Sequence, residues 1–189
     1  MYSATKHIDG QGRVLGGAIL GSFDYIQNYL NPFIRHTGPT LSAFSAWVLV
    51  KSLETLSMRV NKMNESAQQI AEFLAGQPKI SAVNYPGLKT HSGYEVAQKQ
   101  MTGAGTTLSF EIAGRPKELF KVMDALKVID ISNNLGDSKS LITHPASTTH
   151  RRLDQATRES MGITDSLARL SVGLEHASDL IKDLQQATR

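Results

Sequence analysis

A stripe of apolar residues near the middle of the chain constrains the fold most. It advances in alternating steps of four and three positions and consists of Leu49, Leu53, Leu56, Val60, Met63, Ala67, Ile70 and Leu74. Such spacing places every member on one face of an α-helix, so the sequence predicts one long helix, straight or kinked. Several flanking positions are Ser, Ala or Gln rather than paired charges, which favours packing along a domain over a free coiled coil.

After Pro78 the pattern changes to short alternating units. Strands are predicted at 80–85, 106–112, 128–131, 141–144 and 168–172, and helices at 91–101, 116–126, 151–161 and 176–186. In the second of these strands, Leu108, Phe110 and Ile112 share one face because successive side chains of a strand alternate. Strands that alternate with helices predict an α/β or α+β domain in which helices cover a sheet.

The segment before the stripe has a pattern of its own. Residues 14–20 form a short apolar run with β-branched members and glycines, which predicts a buried strand. Apolar residues at helical spacing follow, namely Phe23, Ile26, Tyr29 and Leu30. We expect this helix to end at Asn31-Pro32, because proline lacks the N–H that a helix interior needs.

Size and pattern together predict how the chain divides. With 189 residues, of which 40% are hydrophobic, the chain can bury the core of one larger domain, or of one domain plus part of another. The strongest change of pattern falls within the long helix. We therefore expect a boundary near Ser57, with one domain at 1–57 and a second at 58–189.

Composition excludes several classes of function. The net charge is only +3, and no basic cluster is interleaved with aromatics, so a nucleic-acid partner is not indicated. The absence of cysteine excludes disulfides, thiolate nucleophiles and Cys-ligated metals. Apolar runs such as 46–50 are too short to span a membrane, and the first residues lack the pattern of a signal peptide. We expect a cytoplasmic protein.

The first ten residues place an amine beside two hydroxyls, in Ser3, Thr5 and Lys6. A lysine can form a Schiff base with an aldehyde once the pKa of its ammonium is lowered and the aldehyde is held in place. In a tight loop the two hydroxyls could donate to phosphate oxygens while the amine reaches over a ring. The alternative is a solvated loop lysine next to hydroxyls that cap turns.

Near the other end of the chain, Arg169 lies in a predicted strand. Alternation puts Arg169 on one face with Ser171, and puts Ala168, Leu170 and Val172 on the other. A guanidinium is a flat fork of donors that matches a carboxylate, so Arg169 is a candidate ligand for the α-carboxylate of an amino acid. The alternative is a structural arginine that caps the sheet or pairs with Glu175.

Three separated segments carry a resemblance to one family. They are residues 3–17, residues 134–150 and residues 168–175. In this order they resemble the cofactor-lysine segment, the substrate-side loop and strand, and the carboxylate-binding strand of the Cys/Met metabolism family of pyridoxal-phosphate enzymes, which includes cystathionine γ-synthase. The resemblance extends over essentially the whole chain. In that family the lysine falls near the middle of the polypeptide, so we expect the first half to be missing here.

The resemblance implies a fold and a division into domains. The expected fold is the C-terminal part of a fold-type-I PLP-dependent transferase, of the α/β class. Residues 1–57 would be the last part of the large cofactor-binding domain. Residues 58–189 would be the small C-terminal domain, with a mainly antiparallel sheet covered by helices.

The resemblance also implies roles for individual residues. Lys6 would hold pyridoxal 5'-phosphate and transfer protons, while Ser3 and Thr5 would bind its phosphate. Arg169 would bind the substrate carboxylate, and Asn134 would contact the substrate, although an asparagine there also suits a simple turn. No metal site is predicted, because His144 and His150 lack the spacing and the further ligands of one.

Two departures from the common pattern favour one branch of the family. Asn134, preceded by Asn133, stands where serine is common, and residues 11–13 read Gln-Gly-Arg. Both resemble the sulfhydrylase branch, whose members use sulfide to replace the γ-acyloxy group of O-succinylhomoserine and give homocysteine for methionine biosynthesis. The implied partners are an acylated homoserine, a sulfur nucleophile and further copies of the chain, since the family forms tetramers. Cystathionine γ-synthase, O-acetylhomoserine sulfhydrylase and methionine γ-lyase remain alternatives.

A different class of function also remains open. In the family, the aromatic that stacks on the cofactor ring, the acid that pairs with its nitrogen and the glycine-rich phosphate loop all precede the lysine. The chain could therefore be a catalytically inactive fragment that acts only as a folding or oligomerisation module.

Overall fold

The computed structural model describes residues 1–114 and 116–189. They divide into two compact units, Met1–Ser57 and Met58–Arg189. Among the helices in these ranges, none combines the length and the apolar character that a membrane crossing requires.

The first unit contains two very short strands followed by helices. Strand β1 (Tyr2–Ser3) pairs antiparallel with β2 (Gly17–Ala18). The helical elements are α1 (Phe23–Tyr25), a π-helical segment (Ile26–Leu30), α2 (Asn31–Thr37) and α3 (Ala43–Leu53). Serine side chains cap two of them, because Ser22 Oγ accepts from Tyr25 N and Ser42 Oγ accepts from Ser45 N.

The strand predicted at 14–20 is wrong in extent and in burial. Only Gly17–Ala18 is a strand, and its pairing with β1 extends over two residues. Leu15 is 81% exposed and Leu20 is 78% exposed. An apolar run becomes a buried strand only when neighbours cover both of its faces, and within the described residues those neighbours are absent.

The helix predicted to end at Asn31-Pro32 instead continues to Thr37. The turn before the proline is π-helical, and Asn31 N–H donates to the carbonyl of Ile26, five residues back. Pro32 lies in the first turn of α2, where a missing N–H costs little. The wider π turn thus accommodates the proline without a break. The helix ends at Gly38, which has a φ of 82° and donates its N–H to Ile34 O over 2.8 Å.

The long predicted helix is two helices. Helix α3 ends at Leu53 and α4 runs over Leu56–Ala75. Between them Thr55 N–H donates to Ser52 O over 3.3 Å, a three-residue step that interrupts the α-helical ladder. The stripe is therefore broken at this point, and Leu53 is 48% exposed.

The second unit is built on a five-stranded sheet. Its strands are β3 (Ile80–Asn84), β4 (Thr107–Ile112), β5 (Asp130–Ile131), β6 (Leu141–Thr143) and β7 (Leu167–Ser171). The order across the sheet is β3-β4-β7-β6-β5. All neighbours pair antiparallel except β5 and β6, which are parallel. The prediction of a mainly antiparallel sheet covered by helices is confirmed.

Helices cover this sheet over one hydrophobic core. They are α4, α5 (Tyr94–Gln100), α6 (Pro116–Ala125), α7 (Gln155–Ser160) and α8 (Ala177–Ala187). Ala67, Ile70 and Leu74 of α4 are fully buried in the core. The predicted face of β4 is buried with them, and so are Ala168, Leu170 and Val172. The 3.6-residue and two-residue periods therefore identified the core-facing residues of these elements correctly.

Strand β5 is shorter than the predicted strand at 128–131. The backbone N–H groups of Lys127, Val128 and Ile129 donate to the carboxylate of Asp183 in α8, over 2.8 to 3.0 Å. N–H groups used in this way cannot pair with a neighbouring strand. A polar residue 54 positions away along the chain thus decides where β5 begins.

Candidate functional site

Lys6 lies in a compact backbone turn between β1 and β2. Its N–H donates to Ser3 O over 3.2 Å, and its carbonyl accepts from Gly10 N over 2.7 Å. Asp9 N–H donates to Ala4 O over 2.9 Å inside the same turn. Gly10 has a φ of 70°, which favours glycine. The turn therefore holds the backbone of Lys6 in place and leaves the residue half-buried.

A buried carboxylate anchors this turn, and sequence reasoning missed it. The Asp9 side chain is fully buried and accepts from Arg13 N over 2.6 Å, Arg13 Nε over 2.9 Å and Val14 N over 3.2 Å. Arg13 Nη2 donates to Ser52 Oγ over 2.6 Å, which ties the turn to α3. The four-residue spacing of Asp9 and Arg13 was visible in the sequence, but their burial and the link to Ser52 were not.

Thr5 and Ser3 differ in what their hydroxyls already do. Thr5 Oγ1 accepts from Gly16 N over 3.0 Å and lies 3.4 Å from Gly16 O. A hydroxyl donor at 3.4 Å makes a long, weak bond, so the Thr5 proton can be redirected to a better acceptor. Ser3 is exposed, and its hydroxyl has no hydrogen bond within the described residues. Both hydroxyls can therefore donate to a phosphate from the turn that carries Lys6.

Arg169 is half-buried on β7, and one of its nitrogens is already bound. Nη2 donates to Asn133 O over 2.9 Å and to Asn134 O over 3.1 Å. Burial lowers the pKa of Arg169, but a guanidinium remains charged at neutral pH. Its Nε is buried and has no hydrogen-bond partner among the described residues. The arginine is thus oriented by two carbonyls and lacks one acceptor.

The prediction that Arg169 lies on the face of β7 opposite the core is correct, since Ala168, Leu170 and Val172 are in the core. The alternative that Arg169 pairs with Glu175 is wrong. Arg169 and Ser171 engage the same loop, since Gly136 N–H donates to Ser171 Oγ over 3.0 Å. Glu175 has other partners, accepting from Ser140 N over 2.7 Å and from Ser140 Oγ over 2.8 Å. Glu175 therefore holds the end of the loop 132–140, Ser171 holds its middle and Arg169 holds its beginning.

The structure brings Asn134 to Arg169 through its backbone. The carbonyl of Asn134 accepts from the guanidinium. His144, in contrast, is a buried structural residue. Its Nδ1 lies 2.8 Å from Ser147 Oγ, and its Nε2 lies 3.1 Å from Asp165 O. Within residues 1–114 and 116–189, no cluster of three His, Cys, Asp or Glu residues is arranged to hold a metal ion.

Comparison with known proteins identifies the chain's relatives. The sequence model of the Cys/Met metabolism PLP-dependent enzymes matches residues 1–189. The chain is 53% identical over 192 residues to the O-succinylhomoserine sulfhydrylase of Mycobacterium tuberculosis, covering 99% of the chain and 47% of that protein. It is 38% identical to the L-methionine gamma-lyase of Fusobacterium nucleatum, covering 98% of the chain and 47% of the lyase.

The fold agrees with a solved structure from the same group. The cystathionine gamma synthase of Xanthomonas oryzae, in complex with cystathionine, superposes with a TM-score of 0.93 at 37% identity. The match covers 98% of this chain and 48% of the synthase. The chain thus spans about half the length of the relatives that it matches.

Proposed function

This chain belongs to the Cys/Met metabolism family of PLP-dependent enzymes, and we propose that it carries the cofactor lysine and the substrate-carboxylate site of an O-succinylhomoserine sulfhydrylase. The reaction would replace the succinyloxy group on the γ-carbon of the substrate with sulfide, so that succinate leaves and homocysteine forms. Residues 1–57 would be part of the cofactor-binding domain, and residues 58–189 would be the small C-terminal domain. The 53% identity to a sulfhydrylase supports this branch over the lyases at 38%.

The single observation that carries the substrate-binding role is the incomplete bonding of Arg169. An unpartnered buried Nε costs free energy, of the order of 1–3 kcal/mol for a buried donor. A substrate carboxylate would accept from Nη1, which forms no hydrogen bond within the described residues and, unlike Nε, is not buried. The carbonyls of Asn133 and Asn134 fix the plane of the guanidinium in advance, so little rotamer entropy is lost on binding.

The turn around Lys6 supports the cofactor role. Lys6 would attach to the aldehyde of PLP, and the hydroxyls of Ser3 and Thr5 would donate to its phosphate. Bound PLP supplies an electron sink that acidifies the carbons next to the substrate nitrogen. The Lys6 amine would then remove the proton from the substrate α-carbon and carry it to its next acceptor. The Asp9 anchor keeps the turn in place while this amine moves.

Reductive labelling tests the proposal. Incubation with PLP and reduction with borohydride should fix the cofactor on Lys6, as located by peptide mapping. Lys51 provides an internal control, because it is exposed and already pairs with Glu54 at 2.7 Å. Labelling of Lys51 at the same rate as Lys6 would mean that the Lys6 turn is not a cofactor site.

A second experiment tests the reaction itself. This chain can be co-expressed with the part of the M. tuberculosis relative that the chain does not match. The pair should release succinate from O-succinylhomoserine in the presence of sulfide. A pair in which Lys6→Ala replaces the lysine should not, and equal release by the two pairs would refute the role of Lys6.

One observation favours a second candidate function, that of an interaction module. Large hydrophobic side chains are exposed at 21 described positions, and fourteen of these lie in Met1–Ser57. Phe23, Phe44 and Trp47 are between 59% and 76% exposed. An apolar surface of this extent is typical of a region that another protein surface covers.

Sedimentation velocity separates the two candidates when it is combined with labelling. A module would self-associate without PLP at Lys6, and the paired substitution Phe44→Ser and Trp47→Ser should return the chain to a monomer. Phe120→Ser in the second unit, where the ring is 41% exposed, is the matched control. A chain that stays monomeric at high concentration would contradict the self-associating module.

A further inference from the structure

A polar cavity with a volume of ≈ 460 Å³ lies beside the loop that holds Arg169. It is lined by Asn133, Ser147, Thr148, Thr149, Arg151 and Arg152. Both arginines are exposed on the segment between the 3₁₀ turn Pro145–Ser147 and α7. The cavity thus presents two guanidinium groups to solvent, in a chain whose sequence suggested no role for either.

The positive charge of this cavity is not neutralised by the described residues. Neither Arg151 nor Arg152 forms an ion pair with a described carboxylate. Asp154 is the nearest acid along the chain, and its carboxylate is occupied at the start of α7. It accepts from Thr157 N over 2.9 Å and from Thr157 Oγ1 over 2.7 Å. An anion entering the cavity would therefore meet two available guanidinium forks.

Hydrogen bonds to neighbouring residues already engage the three hydroxyls that line the cavity, and Thr149 Oγ1 lies 2.8 Å from His150 Nδ1. Thr148 Oγ1 donates to His144 O over 2.7 Å, and Ser147 Oγ lies 2.8 Å from His144 Nδ1. These bonds hold the 3₁₀ turn and keep the two side chains from reaching far into the cavity. Recognition of a ligand charge would thus fall to the arginines.

Asn133 connects the cavity to the carboxylate site. It lines the cavity, and its carbonyl accepts from Arg169 Nη2 over 2.9 Å. Asn133 is therefore shared by the cavity of Arg151 and Arg152 and by the site of Arg169. A ligand with a carboxylate at each end would satisfy both, while a ligand with one carboxylate would satisfy only Arg169.

We propose that Arg151 and Arg152 form a second carboxylate subsite, which takes the terminal carboxylate of a succinyl group. This inference rests on the proposed function, because it assigns the substrate's α-carboxylate to Arg169. The subsite distinguishes succinyl from acetyl esters of homoserine. The succinyl ester ends in a carboxylate, whereas the acetyl ester ends in a neutral methyl group and gains nothing from the two cations.

Direct binding to the full chain tests the subsite without any need for turnover. Calorimetric titration should show O-succinyl-L-homoserine binding about two- to fivefold more tightly than O-acetyl-L-homoserine, the range expected for exposed charge pairs. Added salt should reduce this difference. The variant Arg151→Gln/Arg152→Gln should bind both esters equally, with the affinity for the acetyl ester unchanged.

Two further variants complete the test. Lys89→Gln/Lys99→Gln removes the same net charge from exposed positions outside the cavity, and should preserve the preference for the succinyl ester. Arg169→Gln should weaken the binding of both esters. Circular dichroism of each variant verifies that the fold is retained.

The outcomes separate this inference from the proposed function. Equal affinity for the two esters in the unaltered chain, a preference that survives in Arg151→Gln/Arg152→Gln, or no binding of either ester would overturn the subsite. The cofactor role of Lys6 is tested separately, by reductive labelling with PLP. Selective labelling of Lys6 together with equal ester affinities would keep the cofactor role and reject the subsite alone.

Discussion

The two units of this chain use their apolar residues in opposite ways. Among the described residues, 27 are hydrophobic and buried, and only three of these lie in Met1–Ser57, namely Ala4, Val48 and Leu49. The second unit has a continuous core that joins its sheet to α4, α6 and α8. The first unit exposes most of its large apolar side chains instead.

The first unit nevertheless keeps a well-defined turn around Lys6. Hydrogen bonds of Asp9, Arg13, Thr5 and Ser52 hold that turn. The comparison teaches that polar contacts can position a functional group locally without a core, whereas cooperative stability requires buried apolar surface. Substitutions in each unit should therefore have different consequences.

The largest effect should come from the core of the second unit. Leu170 is fully buried on β7, and Leu170→Ala should lower the free energy of unfolding by about 2–5 kcal/mol, through lost burial and the cavity left behind. Leu15→Ala removes the same atoms from a side chain that is 81% exposed. This substitution should change the free energy of unfolding by less than about 0.5 kcal/mol. Urea denaturation measures both. Equal losses of unfolding free energy in the two variants would contradict the difference between the two units.

The polar contacts of the second unit should be almost as important. Asp183→Ala leaves three backbone N–H groups near β5 without their acceptor, which should cost about 2–4 kcal/mol. Asp179→Ala on the same helix is the control, because Asp179 is exposed and pairs only with Lys182 at 3.4 Å. Urea denaturation should find Asp179→Ala close to the unaltered chain. A comparable loss in the two variants would show that the N–H groups are satisfied in another way.

The contribution of Asp183 should also depend on pH. Burial by itself raises the pKa of Asp183, but the three backbone N–H donors and Gln186 together lower it below the usual value. Its stabilisation is therefore complete above the pKa of an unfolded aspartate, about 3.9, and is lost as the pH falls toward the lower folded pKa. The difference in unfolding free energy between the unaltered chain and Asp183→Asn should shrink on going from pH 7 to below about 3. A difference in unfolding free energy that stays constant over this pH range would contradict the lowered pKa of Asp183.

The smallest effect on global stability should come from the anchor in the first unit. Asp9→Ala should disorder the Lys6 turn by lowering its local stability by about 1–2 kcal/mol. The urea concentration at which the second unit unfolds should not change. Reductive labelling of Lys6 with PLP should then fall severalfold. Asp24→Ala, an exposed substitution in α1, should leave labelling unchanged. Unaltered labelling in Asp9→Ala would mean that the turn does not depend on the carboxylate.

Sequence reasoning predicted the second unit better than the first. The periods of β4, β7 and α4 indicated which residues face the core, because a covered element repeats its apolar side at a fixed interval. The same reasoning predicted a buried strand at 14–20 that is largely exposed, because period and composition do not show whether covering neighbours are present. The π turn before Pro32 was missed because proline alone predicts a helix end.

For the candidate site, the sequence by itself determined which groups are available: the Lys6 amine, the hydroxyls of Ser3 and Thr5, and the Arg169 guanidinium on the polar face of its strand. Only the tertiary structure decided their partners. Arg169 meets the carbonyls of Asn133 and Asn134 rather than Glu175, Asp183 ends β5 early, and the cavity of Arg151 and Arg152 adjoins the Arg169 loop. The physical reason is range. Periodicity and residue chemistry are local properties, whereas a hydrogen-bond partner more than thirty positions away depends on how the whole sheet and its loops pack.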